Sequence, residues 1–219
     1  MKIVFLFYEG MTALDAIGPH EILSRLPGAS VFRIAQRAGP IQTDSSQLIF
    51  IADYSLADVT TADVVLVPGA GNATALSAHP EALEWLRSIH ATTTWTTSVC
   101  TGSLILGAAG ILSHLKATTH WAALDRLKLW KAIPTKARVV QDGKVITAAG
   151  VSAGIDMALI LSSKIAGEQF AQTIQLGIEY DPDPPFDVGS PEKADPVIRE
   201  GLRSRMIANF VKVPCEFSS

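Results

Sequence analysis

Cys100 lies in a run where the β-branched and aromatic stretch Thr93-Thr94-Trp95-Thr96-Thr97-Ser98-Val99 meets the small-residue stretch Thr101-Gly102-Ser103-Leu104-Ile105-Leu106-Gly107. The first stretch predicts a buried strand and the second a close-packed helix, so the thiol falls at the corner between them. Such a corner has the form of a nucleophile elbow. The reactive atom stands clear of the sheet, Gly102 two places on lets the helix approach, and the first helical N–H groups point toward the sulfur. Unpaired N–H groups and the helix dipole favour a thiolate there, so a lowered thiol pKa and nucleophilic chemistry near neutral pH are expected. The competing role for Cys100 is that of a small buried apolar residue, which is how most free cysteines behave.

Three other groups have types and places that suit such a site. Asp15 lies just past the end of an apolar run, Ile3 to Phe7. By type alone it could be a helix-start or solvated acid, and its claim to acid–base work rests on its position. Pro68-Gly69-Ala70-Gly71-Asn72 follows a second apolar run and is glycine-rich, so its backbone can approach another group closely. It lacks the Lys-Ser/Thr ending of a P-loop and the dinucleotide fingerprint, which leaves the backbone N–H groups of Gly69, Ala70 and Gly71 as candidate donors to the Cys100 site. His120 could be an imidazole partner for the thiol or a satisfied histidine packed beside Trp121. His20, His79, His90 and His114 read as surface or helix-end residues. No Cys or His pair has zinc spacing and no HExxH occurs, so no metal is expected.

The elements that must position these groups alternate between strands and helices. Ile3–Phe7, Val31–Ala35, Leu48–Ile51 and Asp63–Val67 predict strands, with Gly39-Pro40 punctuating between the second and third. Met11, Leu14, Ile17, Ile22 and Leu23 have helical spacing, and Gly18-Pro19 predicts a break within it. Pro80–Ile89 predicts a helix, and the elbow helix ends near Gly107 to Gly110. Ala117–Trp121 predicts a short strand leading into a helix over Ala122–Leu129. Arg138–Thr147 predicts a hairpin turning at Asp142-Gly143. Ala153–Ile165 and Glu168–Ile178 predict consecutive helices, Asp181–Phe186 an extended loop or arm, and about Pro196–Phe210 a charged peripheral helix. The pattern implies an open, mostly parallel sheet with helices on both faces, where ligands gather beyond the carboxyl ends of strands. Asp15, Gly69–Asn72 and Cys100 all fall at such ends.

Bulk properties narrow the class further. The chain has 219 residues, 48% apolar and 18% charged, with a formal net charge of −3. These values suit one α/β domain over residues 1–219, with about 181–219 as a peripheral arm and helix. No basic block marks a nucleic-acid partner, and no apolar run is long enough for a bilayer. Two cysteines, Cys100 and Cys215, are too few for a disulfide framework, and Cys215 is expected near a mobile C-terminus. The N-terminal apolar run is short and lacks a cleavage site, so it reads as a strand, and the cytoplasm is the expected compartment.

Ser98-Val99-Cys100-Thr101-Gly102-Ser103-Leu104, Ala117-Thr118-Thr119-His120-Trp121, Gly150-Val151-Ser152-Ala153-Gly154-Ile155-Asp156 and Leu14-Asp15-Ala16-Ile17-Gly18-Pro19 together resemble the ThiJ/PfpI superfamily. Within it, the acid in Leu14-Asp15 and the Pro184-Pro185-Phe186 region make the isonitrile hydratases the nearest likeness. The resemblance implies a flavodoxin-like fold, akin to class I glutamine amidotransferases, in a homodimer that needs no cofactor. It implies Cys100 as nucleophile and Asp15 as essential acid, acting on a small isonitrile to give an N-substituted formamide through a Cys-bound thioimidate. Thr101, by its amide and hydroxyl, and the amides of the glycine-rich loop would steady charge or water, with His120 and Val151 behind them. Two departures stand out. The protease-like branch has His after its Cys where Thr101 stands here, and the hydratases commonly read Pro-Gly-Gly where Ala70 replaces the second glycine. The elbow and the Thr118-Thr119-His120-Trp121 region are shared with the ligand-sensing amidase-like domains of some transcription regulators, in which a helix-turn-helix domain follows this fold. A glyoxalase-like or deglycase-type enzyme on the same scaffold would use the same thiol on dicarbonyls.

Overall fold

The computed structural model describes residues 1–45, 48–72, 76 and 79–210; Cys215 lies outside them. The strands are β1 (Lys2–Leu6), β2 (Ser30–Ala35), β3 (Gly39–Gln42), β4 (Ile49–Ala52), β5 (Tyr54–Ser55), β6 (Val64–Val67), β7 (Trp95–Val99), β8 (Lys116–Ala117), β9 (Ile133–Pro134), β10 (Val139–Asp142) and β11 (Val145–Ala148). The α-helices are α1 (Ala13–Leu23), α2 (Pro80–Thr92), α3 (Gly102–Ala108), α4 (Ala153–Ala166), α5 (Glu168–Gly177) and α6 (Pro196–Phe210). Seven strands form one sheet in the order β10-β11-β7-β6-β1-β2-β5, and β10 alone runs antiparallel to its neighbour. Every residue of β6 and β11 is buried because both faces are covered, which is why β6 is apolar without alternation and the one polar residue of β11, Thr147, has its hydroxyl paired with the Thr118 N–H at 2.9 Å. Helices α1, α4 and α5 pack together as one layer, and α2 and α3 pack with a 3-10 segment over Trp121–Trp130 as another.

Thr96, Thr97 and Ser98 of β7 are buried as well; Ser98 Oγ has no hydrogen-bond partner among the described residues, while the two threonine hydroxyls are paired. Thr97 Oγ1 donates to the Val65 carbonyl at 2.9 Å, while Thr96 Oγ1 lies 2.8 Å from Thr93 Oγ1 and 2.7 Å from His90 Nδ1.

Four local expectations are corrected. Helix α1 runs unbroken through Pro19. The lost N–H bond is offset by packing on α4: a Cβ at Gly18 would lie 2.9 Å from Ile155 Cγ1, and Pro19 Cγ lies 3.1 Å from the Cβ position of Gly154. Gly39-Pro40 does not merely punctuate; it opens β3, which pairs with β4 in a separate two-stranded ribbon where a missing N–H is tolerated. The segment after His120 is 3-10 rather than α-helical, begun by His120 Nδ1 accepting from the Ala122 N–H and ended by Lys131 at φ 58°. In the hairpin, Asp142 pairs with Val145, so Gly143 (φ 57°) and Lys144 make the turn.

Strand β1 is flanked by β2 on one side and β6 on the other, so the chain reverses its direction of winding there. Loops that leave the carboxyl ends of β1, β6 and β7 open around that point, the usual place for a ligand in an open α/β sheet. Residues 181–195 lack regular structure, Lys136 is ion-paired with Glu192, and α6 packs on the 3-10 segment.

Candidate active site

Cys100 follows β7 directly and has φ 56°, a left-handed conformation that costs a non-glycine residue roughly 1–2 kcal/mol. Its surroundings impose that geometry. The Cys100 N–H donates to the carbonyls of Ala148 (3.1 Å) and Ala149 (2.8 Å). Its carbonyl accepts from Thr119 Oγ1 at 2.9 Å and Ser103 Oγ at 3.3 Å. Gly102 is required for the turn to close, because a Cβ there would fall 2.2 Å from the Val67 carbonyl oxygen. The thiol is thus pinned at the head of α3, where it is 4% exposed.

Asp15, in the first turn of α1, is 0% exposed and meets the loop after β6. The Gly69 N–H donates to Asp15 Oδ2 at 2.8 Å, and Thr12 N donates to the Gly69 carbonyl at 2.8 Å, so the two loops are laced together. Gly69 has no room for a side chain: a Cβ would lie 2.6 Å from Thr101 N and 2.9 Å from Asp15 Oδ2. Asp15 Oδ1 is buried with no hydrogen-bond partner among the described residues, an arrangement that costs about 1–3 kcal/mol and leaves an acceptor free for a reacting molecule. Thr101 Oγ1 accepts from the Ala70 N–H and donates to the Ala70 carbonyl, both at 2.9 Å. The Gly69 and Ala70 amides are therefore committed to Asp15 and Thr101. They hold those side chains in place rather than pointing bare into the site, as the sequence had suggested.

Burial pushes the Asp15 carboxyl up to about 7; the Gly69 N–H opposes this, the Asp44 carboxylate adds to it, and the Cys100 thiol opposes it again. Burial and the facing Asp15 push the Cys100 thiol up to about 12, against the N–H groups of Val151 and Thr101 and the Thr101 hydroxyl, which favour the thiolate. The expected lowering of the thiol pKa is thus reversed. The short helix α3 and its amides do favour the anion, but desolvation of the sulfur and a neighbouring acid outweigh them. Thiol and carboxyl act as one coupled pair.

The sequence-derived residues are brought together unequally. Cys100, Asp15, Thr101, Gly69, Ala70 and Val151 meet at one place, and Gly71 lies at its rim near Asp44. Val151 has φ 24°, rare for a β-branched residue, and presents its N–H to the sulfur. His120 makes no hydrogen bond to Cys100 or Asp15. Its ring lies against Gly150, where a Cβ would meet Cδ2 at 2.8 Å, and burial lowers its pKa to about 4, so it is neutral at pH 7. Tyr8 and Asp44 were missed by the sequence reading. Tyr8, buried after β1, donates its hydroxyl to the Pro68 carbonyl at 2.8 Å, and Asp44 Oδ2 accepts from Thr12 Oγ1 at 2.6 Å. Tyr8 could have been suspected from its place at the end of β1; nothing in the sequence singles out Asp44. Among the described residues no cluster of His, Cys, Asp and Glu could hold a metal ion.

The chain is similar to known proteins. The isonitrile hydratase of Pseudomonas putida is 41% identical over 205 residues, spanning 94% of this chain and 90% of that protein. The crystal structure of a ThiJ/PfpI family protein from Pseudomonas syringae superposes with a TM-score of 0.90 at 36% identity, covering 95% of this chain and 89% of that one. The HTH-type transcriptional regulator CdhR of Pseudomonas aeruginosa is 28% identical over 76% of this chain and 51% of its own length. Residues 1–164, which contain the elbow, the acid of α1 and the loop between them, match the DJ-1/PfpI family, and with the near full-length relative they establish that the chain belongs to it.

Proposed function

We propose that this protein is an isonitrile hydratase that converts an isonitrile and water to an N-substituted formamide, with Cys100 as nucleophile and Asp15 as the proton carrier. The observation that carries the reading is the enclosed pair: a thiol facing a carboxyl whose pKa lies near 7 and whose Oδ1 is unpartnered. The similarity to the hydratase over nearly the whole chain supports it. A terminal isonitrile carbon is unhindered and needs a soft nucleophile together with a proton at the same atom.

Ionised Asp15 takes the thiol proton as sulfur bonds to the isonitrile carbon, then delivers that proton to the carbon. The product is a thioimidate, R–N=CH–S–Cys, with Asp15 again ionised. Asp15 next removes a proton from water as oxygen bonds to the imidate carbon and passes that proton to the nitrogen, which gives R–NH–CH(OH)–S–Cys with Asp15 again ionised. Collapse breaks the C–S bond, the remaining hydroxyl proton returns to sulfur, and R–NH–CHO leaves. The Thr101 hydroxyl, bonded to Ala70 at rest, can turn its hydrogen toward the sulfur when charge develops there. No metal or organic cofactor has a part in this sequence. The reading includes a homodimer, supported by the exposed apolar residues Leu14 and Ile17 on α1, and cytoplasmic residence, supported by the scarcity of cysteine.

The test is incubation with cyclohexyl isocyanide, following N-cyclohexylformamide in solution and the intact mass of the protein. Wild type should form the formamide, and Cys100→Ala should form neither product nor adduct. Turnover by Cys100→Ala, or turnover of methylglyoxal without turnover of the isocyanide, overturns the proposal.

A further inference from the structure

The Val151 N–H that faces the Cys100 sulfur belongs to a short turn, Gly150 to Ser152, in a strained conformation. A β-branched residue at φ 24° persists only where its surroundings over-determine it. The restraints from inside are backbone bonds at the head of α4: Ala153 N to the Gly150 carbonyl at 3.0 Å and Gly154 N to the Val151 carbonyl at 3.2 Å. From outside they converge on one residue. Arg138, just before β10, accepts the Ala149 N–H on its carbonyl at 2.8 Å, and the Ala149 carbonyl in turn receives the Cys100 N–H. The guanidinium reaches over the turn: Nη2 donates to Ser152 Oγ at 3.2 Å, and Nε is paired with Asp156 Oδ2. Asp156 is itself fixed from its far side by the Tyr180 hydroxyl, which donates to Oδ1 at 3.2 Å. A planar fork that ties Ser152 to Asp156, one turn along α4, braces the outer side of the segment whose inner side carries the Val151 amide.

We propose that Arg138 is a positioning residue for the reaction at Cys100: its guanidinium holds the Gly150–Ser152 turn so that the Val151 N–H stays aimed at the sulfur. Arg138 touches neither the thiol nor Asp15, and its side chain is half exposed, so it acts only through the turn. The inference rests on the proposed hydratase reading for its turnover arm alone; the behaviour of the thiol is read without any isonitrile.

The experiment uses a Cys215→Ser background so that iodoacetamide reports on Cys100. Arg138→Gln, Arg138→Lys and Ser152→Ala are compared with that parent for alkylation rate across pH, for kcat and KM with cyclohexyl isocyanide, and for Tm. Losing one N–H bond to a developing thiolate should slow alkylation of Arg138→Gln at pH 8 by about three- to tenfold and displace its pH profile upward. Arg138→Lys, which keeps the charge without the fork, should fall between, and Ser152→Ala should shift in the same direction. kcat should drop with little change in KM. An unchanged alkylation profile with only a lower Tm would make Arg138 merely structural and overturn the proposal. If no protein in the set, parent included, turns over the isocyanide, the hydratase reading fails while the alkylation profiles still decide the role of Arg138.

Discussion

A carboxyl group enclosed beside a thiol imposes a cost that varies with pH. The Asp15 carboxyl is raised from 3.8 to about 7, chiefly by burial. Below the unfolded value both states hold the proton and the native fold bears no penalty. Between the two values the unfolded chain has lost the proton while the native chain keeps it, so stability falls as pH rises through this window and levels off above about 7. The full effect is on the order of 4 kcal/mol. Asp15→Asn removes the titration while keeping an acceptor for the Gly69 N–H. Its Tm relative to wild type should rise steadily between pH 4 and 7 and then hold constant; a difference that stays flat with pH means Asp15 ionises normally. Cys100 and Asp15 were legible in the sequence because residue type and strand-end position coincide. The direction of the thiol shift was not, because it depends on burial and on a carboxyl that the chain order places 85 residues away. Asp44 and Arg138 were invisible for a related reason: each acts through a contact that exists only once the loops are folded together.

At the scale of the element, the elbow depends on how closely α3 can approach β6. Gly102→Ala places a methyl 2.2 Å from the Val67 carbonyl oxygen, against backbone that has nowhere to retreat within the sheet. It should cost about 1–3 kcal/mol and displace Cys100 from Asp15, seen as a lower urea midpoint together with lost turnover. Gly177→Ala, at the end of α5 with nothing within 4 Å of the new methyl, is the matched control and should be neutral or stabilising by up to about 1 kcal/mol. Wild-type stability in Gly102→Ala would mean that the close approach is not essential. The elbow strand and helix were readable because a β-branched run and a small-residue run meet there. Helix α1 was misread at Pro19 because the packing of Gly18 and Pro19 on α4, which outweighs one missing hydrogen bond, is tertiary. The hairpin was read correctly while its turn was displaced by one residue, since register is set by pairing with β7 as well as by turn chemistry.

Across the whole molecule the site is a consequence of strand order. Placing β1 between β2 and β6 opens a crevice at one edge of three adjacent strands, and each of β1, β6 and β7 sends one part of the site into it. The alternation of apolar strands and helices made this architecture legible, whereas the arm after α5 has no periodicity from which its position could be read. Among the described residues, the buried apolar core ends within α5, at Ile174, and beyond it only Ile178 and Met206 pack against that core. Phe186, Val197 and Ile198 are exposed. We therefore read residues 1–181 as able to fold without the arm and α6, and the Tyr180 contact to Asp156 as the last one the site requires. A chain ended after Asp181 should unfold cooperatively, with Tm lower by only a few degrees, as expected for the loss of about 1–2 kcal/mol of surface packing. Its Cys100 alkylation profile should match that of the full chain. Loss of cooperative unfolding in circular dichroism would show instead that the arm belongs to the folding unit.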